Sequence, residues 1–401
     1  MKHARIQISI LLLVLGLGSM GPPVIGALRE SVQQEAGLSR ADLGMWVFLI
    51  GTGGSLVAMA MGVLMRRTIR PTFVRAGMFG MFAGCCLLAW VRPAPGWALA
   101  PLAVGWLVMR IAHPLGGASN GVFADLWESS PHTGIIILHA LNALGKVLAP
   151  LAALLLGTAV RPTALAFAAL FGLLALESLF WPRESIRHLK EIEEGRGTGR
   201  LRLPRDPFIW ACTLQFAFIA GAEGGAVSIL GSLVTRLRPV PVEWISPGQW
   251  PSVVLIVITS AIFLGRTFFA VFSLRMTERA ILRACLTCGL FAVPAAFLRS
   301  PALYLPSIFL TGICFSATWP AFFGLAARAY PPERTFLSLG AMFFTAIGLW
   351  GTTFVSSAIG NVDRFLPHAF VASTAFMLPF ACFLLLPMTG RALRGAGWRR
   401  A

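Results

Sequence analysis

Gly62-Val-Leu-Met-Arg-Arg-Thr-Ile-Arg70 is a short basic turn that has a counterpart about half a chain length away. The counterpart reads Ala270-Val-Phe-Ser-Leu-Arg-Met-Thr-Glu-Arg279 and follows Gly265-Arg266. Each copy lies between two apolar stretches that are long enough to cross a membrane. A polar turn that recurs between paired apolar spans predicts a membrane protein built from two repeated halves.

The composition supports this prediction. Of the 401 residues, 57% are hydrophobic and only 12% are charged, and the mean hydropathy is +0.77. A soluble protein of this length would need more charged residues to cover its surface. The net charge of +17 does not indicate nucleic-acid binding, because the basic residues lie in short loops beside apolar spans, where they act as topology signals.

Membrane-spanning helices need about 20 mostly apolar residues each. On that basis the chain has twelve predicted spans, at 6–28, 43–65, 73–91, 97–121, 133–158, 162–181, 207–235, 250–273, 280–298, 302–328, 336–358 and 367–388. The longest polar stretch follows the sixth span and contains a segment, 183–194, that predicts an amphipathic surface helix. The predicted domains are an N-terminal six-helix bundle, a central cytoplasmic loop and a C-terminal six-helix bundle, at 1–181, 182–206 and 207–401.

Lys and Arg concentrate on the side of the predicted spans that also holds both termini. The positive-inside rule therefore places both termini, the central loop and both copies of the basic turn in the cytoplasm. Arg far outnumbers Lys, which is typical of a GC-rich bacterial genome, so the predicted location is a bacterial inner membrane. The long first apolar run has no small-residue cleavage site and is expected to be a retained span.

No motif for an enzyme, a metal site or a cofactor stands out. The seven cysteines lie within apolar runs, and Cys285 and Cys288 have CxxC spacing without further ligands nearby. Such cysteines are typical of small packing residues in helices. No nucleophile–base set and no phosphate-binding loop appears.

Three charged residues near the middle of predicted spans are the best functional candidates: Arg110, Lys146 and Glu223. Charges at that depth are expensive and usually face a cavity or a partner. In the fifth span, His139, Asn142 and Lys146 share one helical face, and in the fourth span His113 lies one turn after Arg110. Both histidines are more typical of hydrogen-bonded packing residues than of proton carriers. An ion pair of Glu223 with Arg110 or Lys146 is the structural alternative to a binding site.

The order of these features resembles the major facilitator superfamily, whose signature in the loop between spans two and three has the form G-x-L-x-D-R-x-G-R-R. Gly62, Leu64, Arg67 and Arg70 match it, whereas Arg66 stands at the acidic position. Further similarities follow in the fourth, fifth and tenth spans, the last of them to sugar-permease-type members. The resemblance covers essentially the whole chain and implies an all-helical fold of two pseudo-symmetric six-helix bundles, with spans 1, 4, 7 and 10 lining a central cavity. It also implies a gating role for five arginines: Arg67, Arg70, Arg266, Arg275 and Arg279.

The functional prediction is a monomeric secondary transporter that moves a small solute by alternating access and contacts only substrate, protons and membrane lipids. Two midplane cations against one carboxylate favour an organic anion as substrate, and Glu223 is the candidate proton site. A drug or metabolite exporter, a sugar permease and a non-transporting sensor or scaffold are the alternatives. The first and fourth spans lack the carboxylates on which many sugar–proton symporters of this superfamily rely.

Overall fold

The computed structural model describes residues 3–20, 22–64, 70–90, 99–117, 119–126, 131–157, 159–195, 209–210, 223, 227, 249–272, 280–281, 284–285 and 300–329. All regular elements in these ranges are α-helices. They are α1 (Ala4–Ser19), α2 (Pro22–Ala36), α3 (Arg40–Leu64), α4 (Arg70–Leu88), α5 (Leu99–Gly117), α6 (Ser119–Leu126), α7 (Pro131–Leu155), α8 (Val160–Leu179), α9 (Arg183–Gly195), α10 (Trp250–Phe272) and α11 (Pro301–Ala329).

The chain divides into two compact units. The first contains Met1–Leu38 and Gly53–Arg200, and the second contains Ser39–Thr52 and Leu201–Ala401. Helix α9, which belongs to the predicted central loop, is part of the first unit. The predicted boundaries at 181 and 207 stay a prediction.

Four described helices contain windows long and apolar enough to cross a membrane, at Pro71–Leu88, Ile137–Leu155, Val160–Leu179 and Trp250–Phe269. Shorter apolar helices occur at Ala4–Ser19, Ala100–His113 and Leu305–Thr318. The eleventh and twelfth predicted spans, and most of the seventh and ninth, lie outside the described residues. The count of twelve spans therefore stays a prediction.

Helix α2 continues beyond the end of the predicted first span, 6–28. The chain stays helical to Ala36, because the polar residues after 28 include no glycine or proline before Gly37. Gly37 has a φ of +64°, a left-handed conformation that glycine adopts easily and that ends the helix. Helix α3 then begins with a cap, since the Asp42 N–H donates to Ser39 Oγ at 3.1 Å.

Glycines let several helices approach closely. A Cβ built at Gly18 of α1 would lie 2.1 Å from the Asn142 carbonyl oxygen of α7, and one at Gly77 of α4 would lie 2.4 Å from the Gly116 nitrogen of α5. In the second unit, a Cβ at Gly312 of α11 would lie 2.5 Å from the Ile258 carbonyl oxygen of α10. Small residues at crossings are the usual way in which membrane helices gain packing contacts without a hydrophobic driving force.

Helix α9 confirms the predicted amphipathic surface helix. Its Ser185 and Leu189, one turn apart, are each 1% exposed, whereas Arg187 and Glu191 face outward. His3, just before α1, holds it in place: His3 Nδ1 lies 2.8 Å from Ser185 Oγ, and the His3 and His188 rings stack at 5.4 Å between centroids. The start of α1 and the linker helix are thus packed on one end of the first unit.

The same end of the first unit carries an exposed ion pair and a buried tryptophan. Arg5 of α1 forms two contacts to the Glu177 carboxylate of α8, one of them from Nη2 at 2.8 Å. This hydrogen-bonded carboxylate raises the pKa of the Arg5 guanidinium above its ordinary value. Trp181, 3% exposed, donates from Nε1 to Ser9 Oγ at 3.3 Å.

At the other end of α8, Glu35 of α2 accepts a hydrogen bond from the Val160 backbone N–H. Ala159 has no side chain to cap α8, so Glu35 supplies the missing acceptor from a neighbouring helix. Partial burial raises the pKa of the Glu35 carboxyl, and the hydrogen bond from Val160 opposes that rise.

Candidate functional site

Helix α5 presents Trp106, Arg110 and His113 on one face, because the spacings of four and three residues bring side chains to the same side of a helix. Trp106 is buried at 7% exposure, and Arg110 and His113 are half-buried. The structure therefore places a guanidinium and an imidazole one turn apart on a helix that packs tightly against α4.

Two other helices meet this face of α5. His113 forms a hydrogen bond with the backbone carbonyl of Leu17 on α1, and the charge of Lys146 on α7 acts on the same imidazole together with that of Arg110. Within the first unit, one cluster therefore brings together two cations and a histidine from α5 and α7, with α1 between them. We call Arg110, His113 and Lys146 the cationic cluster.

Helix α7 carries the polar face predicted for the fifth span, with His139, Asn142 and Lys146. Asn142 contacts the α1 backbone, with its Nδ2 3.5 Å from the Val14 carbonyl oxygen, and His139 is half-buried one turn earlier. Pro150 lies inside α7 and has no N–H for the Lys146 carbonyl four residues before it. The polar face of the predicted fifth span is therefore directed at α1 at the level of Asn142.

The second unit holds a different arrangement. Glu223 is buried, and its Oε1 lies 3.8 Å from Arg266 Nη2 of α10. Arg266 Nε donates to the Ser316 backbone carbonyl of α11 at 3.1 Å. Both side chains are nearly buried, at 10% exposure for Arg266 and 12% for Glu223. We call these three groups the paired site.

The paired site changes the interpretation of Arg266. The sequence places Arg266 within the eighth span and groups it with the loop arginines as a gating residue. In the structure it lies inside α10, with its guanidinium buried beside a carboxylate. A cation at that depth needs a counter-charge, and Glu223 provides one within the same unit. The signal was present in the sequence, because Arg266 falls inside the eighth predicted span, seven residues before its end.

The other predicted gating residues are only partly described. Arg67, Arg275 and Arg279 lie outside the described residues. Arg70 begins α4. The gating role of all five arginines stays a prediction, and so does the solute- or proton-binding role of Arg110, His113, His139, Asn142, Lys146 and Glu223.

Cysteines and metal ligands give no second site in the described part of the chain. Cys85, Cys86, Cys285 and Cys314 carry reduced thiols there, and Cys85 Sγ packs 3.7 Å from Met109 Sδ. Cys288 lies outside the described residues. Among the residues that the structure describes, no three or more His, Cys, Asp or Glu side chains are grouped to hold a metal ion.

Comparison with known families decides the identity of this fold. The sequence profile of the Major Facilitator Superfamily matches residues 8–355, which is most of the chain. The chain belongs to the major facilitator superfamily. A comparison with curated protein sequences found no match.

Solved structures of major facilitator transporters are similar over nearly the full length. A D-xylose–proton symporter has a TM-score of 0.77 at 12% identity, with 97% of this chain and 99% of that chain covered. A bacterial homologue of the human lysosomal transporter Spinster, inward-facing and unoccupied, has 0.69 at 16% identity, with 100% and 99% covered. The human organic anion transporter MFSD10 has 0.62 at 14% identity, with 96% and 98% covered.

Membership in this superfamily confirms the predicted fold class and the prediction of a multi-pass membrane transporter rather than an enzyme. At these identities the solved structures show the fold alone. The solute that this major facilitator protein carries must therefore be inferred from its own cationic cluster and paired site.

Proposed function

We propose that this protein is a secondary transporter of a small organic anion, working by alternating access with the anion bound at the cationic cluster. The observation that carries the proposal is that the charges of Arg110 and Lys146 both act on His113 inside the first unit, from helices α5 and α7 that both pack against α1. Bringing two cations together in a low-dielectric region costs free energy, and a bound carboxylate or phosphate offsets that cost.

We further propose that Glu223 takes up the coupling proton. A nitrogen–oxygen distance of 3.8 Å is too long for a direct hydrogen bond, so protonating Glu223 breaks no hydrogen bond to Arg266. Arg266 meanwhile keeps its hydrogen bond to the Ser316 carbonyl. Anion binding and proton binding are then tasks of different units, which suits symport of an anion with a proton.

The location that fits this function is a bacterial inner membrane with both termini in the cytoplasm. Support comes from the bias of Lys and Arg towards the side that holds the termini. The amphipathic helix α9 and the start of α1, packed together, would then lie at the cytoplasmic end of the first unit.

Proteoliposomes that contain the purified protein provide the test. We expect labelled succinate, benzoate or glycerol 3-phosphate to accumulate when an inward proton gradient is imposed, and labelled xylose not to accumulate. Arg110→Gln should weaken uptake of the anion about a hundredfold, since charge-assisted hydrogen bonds contribute roughly 1.5–3 kcal/mol. Arg161→Gln is the matched control, because it removes the same charge from an exposed position at the start of α8.

Glu223→Gln separates anion binding from proton coupling. The variant should be less stable, because Arg266 loses its counter-charge. Its folded protein should still exchange labelled for unlabelled anion across the membrane but should fail to concentrate it against a gradient. Concentrative uptake by Glu223→Gln would remove the proton role, and unchanged affinity in both Arg110→Gln and Lys146→Gln would remove the anion site. Xylose uptake without anion uptake would favour a sugar permease, and outward pumping an exporter. The absence of any solute flux would favour a sensor or scaffold.

A further inference from the structure

We infer that Gly54 of α3 is the positioning residue for Arg110 and thereby sets the affinity of the cationic cluster for its anion. This inference rests on the proposed function. It identifies a residue that neither contacts the substrate nor carries a charge.

The geometry at Gly54 is specific to Arg110. A Cβ built at Gly54 would lie 2.5 Å from Arg110 Cβ, 3.4 Å from its carbonyl carbon and 3.5 Å from its Cα, and these three atoms are its nearest neighbours. Carbon atoms in contact are normally about 3.5–4.0 Å apart. Helix α3 therefore passes α5 at the point where the Arg110 side chain leaves its backbone, and only glycine fits there.

Gly53 gives an internal comparison. A Cβ built at Gly53 meets no atom within 4 Å, although it is the neighbouring residue of the same helix. Alanine at either position favours the helix over glycine by the same amount. Any difference between the two alanine variants must then come from the contact with Arg110.

Helix α5 has no room to retreat from a larger residue at 54. Its opposite side is packed against glycines of α4: a Cβ at Gly80 would lie 2.7 Å from Ala112 Cβ, and one at Gly84 would lie 2.3 Å from Met109 Cγ. Ala112 lies about 200° around the helix from Arg110. A methyl group at 54 must therefore shift or rotate α5 and carry the guanidinium away from His113 and Lys146.

A displaced guanidinium keeps its charge but loses its alignment with the anion. Charge-assisted hydrogen bonds depend on both distance and direction, and a misplacement of about 1 Å is enough to weaken one strongly. We expect Gly54→Ala to raise the Kd for the anion about tenfold and Gly53→Ala to leave it unchanged.

The experiment measures anion binding to the purified full-length protein by thermal stabilisation and by titration, with succinate, benzoate and glycerol 3-phosphate as probes. Gly54→Ala and Gly53→Ala are each made in the wild type and in Arg110→Gln. Because Arg110→Gln keeps the Cβ but lacks the charge, Gly54→Ala should still lower its melting temperature, yet should cause no further loss of anion affinity.

The outcomes distinguish the inference from the proposed function. If wild type binds a probe, Arg110→Gln weakens it, and Gly54→Ala behaves like Gly53→Ala, the positioning role is overturned while the anion site stands. An equal affinity loss from Gly54→Ala with and without the Arg110 charge also overturns it, because the effect is then general to the fold. If no probe binds to the wild type, the proposed function fails and the inference fails with it.

A second variant covers the case in which Gly54→Ala does not fold. Ala112→Gly removes the Cβ that stands against Gly80, so α5 gains room on the side away from α3. The double variant Gly54→Ala with Ala112→Gly should fold and recover part of the lost affinity. A folded double variant that binds the anion as tightly as Ala112→Gly alone would contradict the inference.

Discussion

The cationic cluster lies near the crossing of the second and fourth predicted spans, and the paired site lies near the crossing of the eighth and tenth. The first groups like charges, whereas the second pairs opposite charges. Gly54 of the second predicted span approaches Arg110 of the fourth, and Gly265 of the eighth approaches Ser316 of the tenth, where a built Cβ would lie 2.5 Å from Ser316 Oγ. In the first unit, Arg110 gathers with His113 and Lys146. In the second unit, Arg266 lies beside Glu223.

The difference indicates a division of roles between repeated halves. A balanced buried pair is destabilising to break, because removal of one partner leaves the other charge buried. Neighbouring like charges repel each other, so a bound anion would stabilise the cationic cluster. Substitutions in the second unit should therefore act first on stability, and those in the first unit on affinity.

The largest expected effect follows from Arg266→Met. Removal of the guanidinium takes a counter-charge from the buried Glu223, and breaking such a pair typically costs about 3–5 kcal/mol. We expect a large drop in the melting temperature of the purified protein. The double variant Arg266→Gln with Glu223→Gln should recover most of this loss, because no buried charge then lacks its partner. A stable Arg266→Met protein would contradict the structural role of the pair.

Arg110→Gln should show the opposite pattern. Anion affinity is expected to fall about hundredfold, whereas the melting temperature without ligand should fall less than in Arg266→Met, since the loss of Arg110 also relieves its repulsion of Lys146. Lys146→Gln should act in the same direction with a smaller effect. If Arg110→Gln destabilises the ligand-free protein as much as Arg266→Met, the contrast between the two sites does not hold.

Much of this architecture could be predicted from the sequence, because span length and the placement of Lys and Arg follow from bilayer physics. The helices around residues 43–65, 73–91, 133–158 and 162–181 agree with the predicted spans within a few residues. Arg110, His113 and Lys146 were also identifiable, since charges within apolar spans are conspicuous. Those signals are local, and each depends on a few neighbouring residues.

Which residues contact each other across two helices could not be predicted from the sequence in the same way. The sequence suggested an ion pair of Glu223 with Arg110 or Lys146 as the alternative to a binding site. In the second unit, Glu223 instead lies beside Arg266. Gly54 and Gly53 are indistinguishable in the sequence, and only the crossing of α3 and α5 makes one of them essential. Which residues face each other across two helices depends on the crossing position, and hydropathy carries no information on that.

Gly265→Ala sharpens the comparison with Gly54→Ala. A methyl group at 265 would meet Ser316 next to the carbonyl that accepts the Arg266 hydrogen bond, and overpacking of this kind costs about 1–3 kcal/mol. We expect a lower melting temperature with little change in anion affinity. Leu264→Ala, at an exposed position of the same helix, is the control and should have a smaller effect. A tenfold loss of affinity in Gly265→Ala would place anion contacts in the second unit as well.

The smallest effect is expected from Arg5→Gln, which removes an exposed arginine–glutamate pair of the first unit. Arg5 and Glu177 are closer together than Arg266 and Glu223, with an Nη2 contact at 2.8 Å, but their side chains are 50% and 34% exposed. Exposed pairs contribute little because water and salt screen them. The melting temperature should therefore change by no more than the measurement error, at low and at high salt alike. If Arg5→Gln destabilised the protein as much as Arg266→Met, short distance rather than burial would govern these pairs, and the stability assigned to the paired site would need another cause.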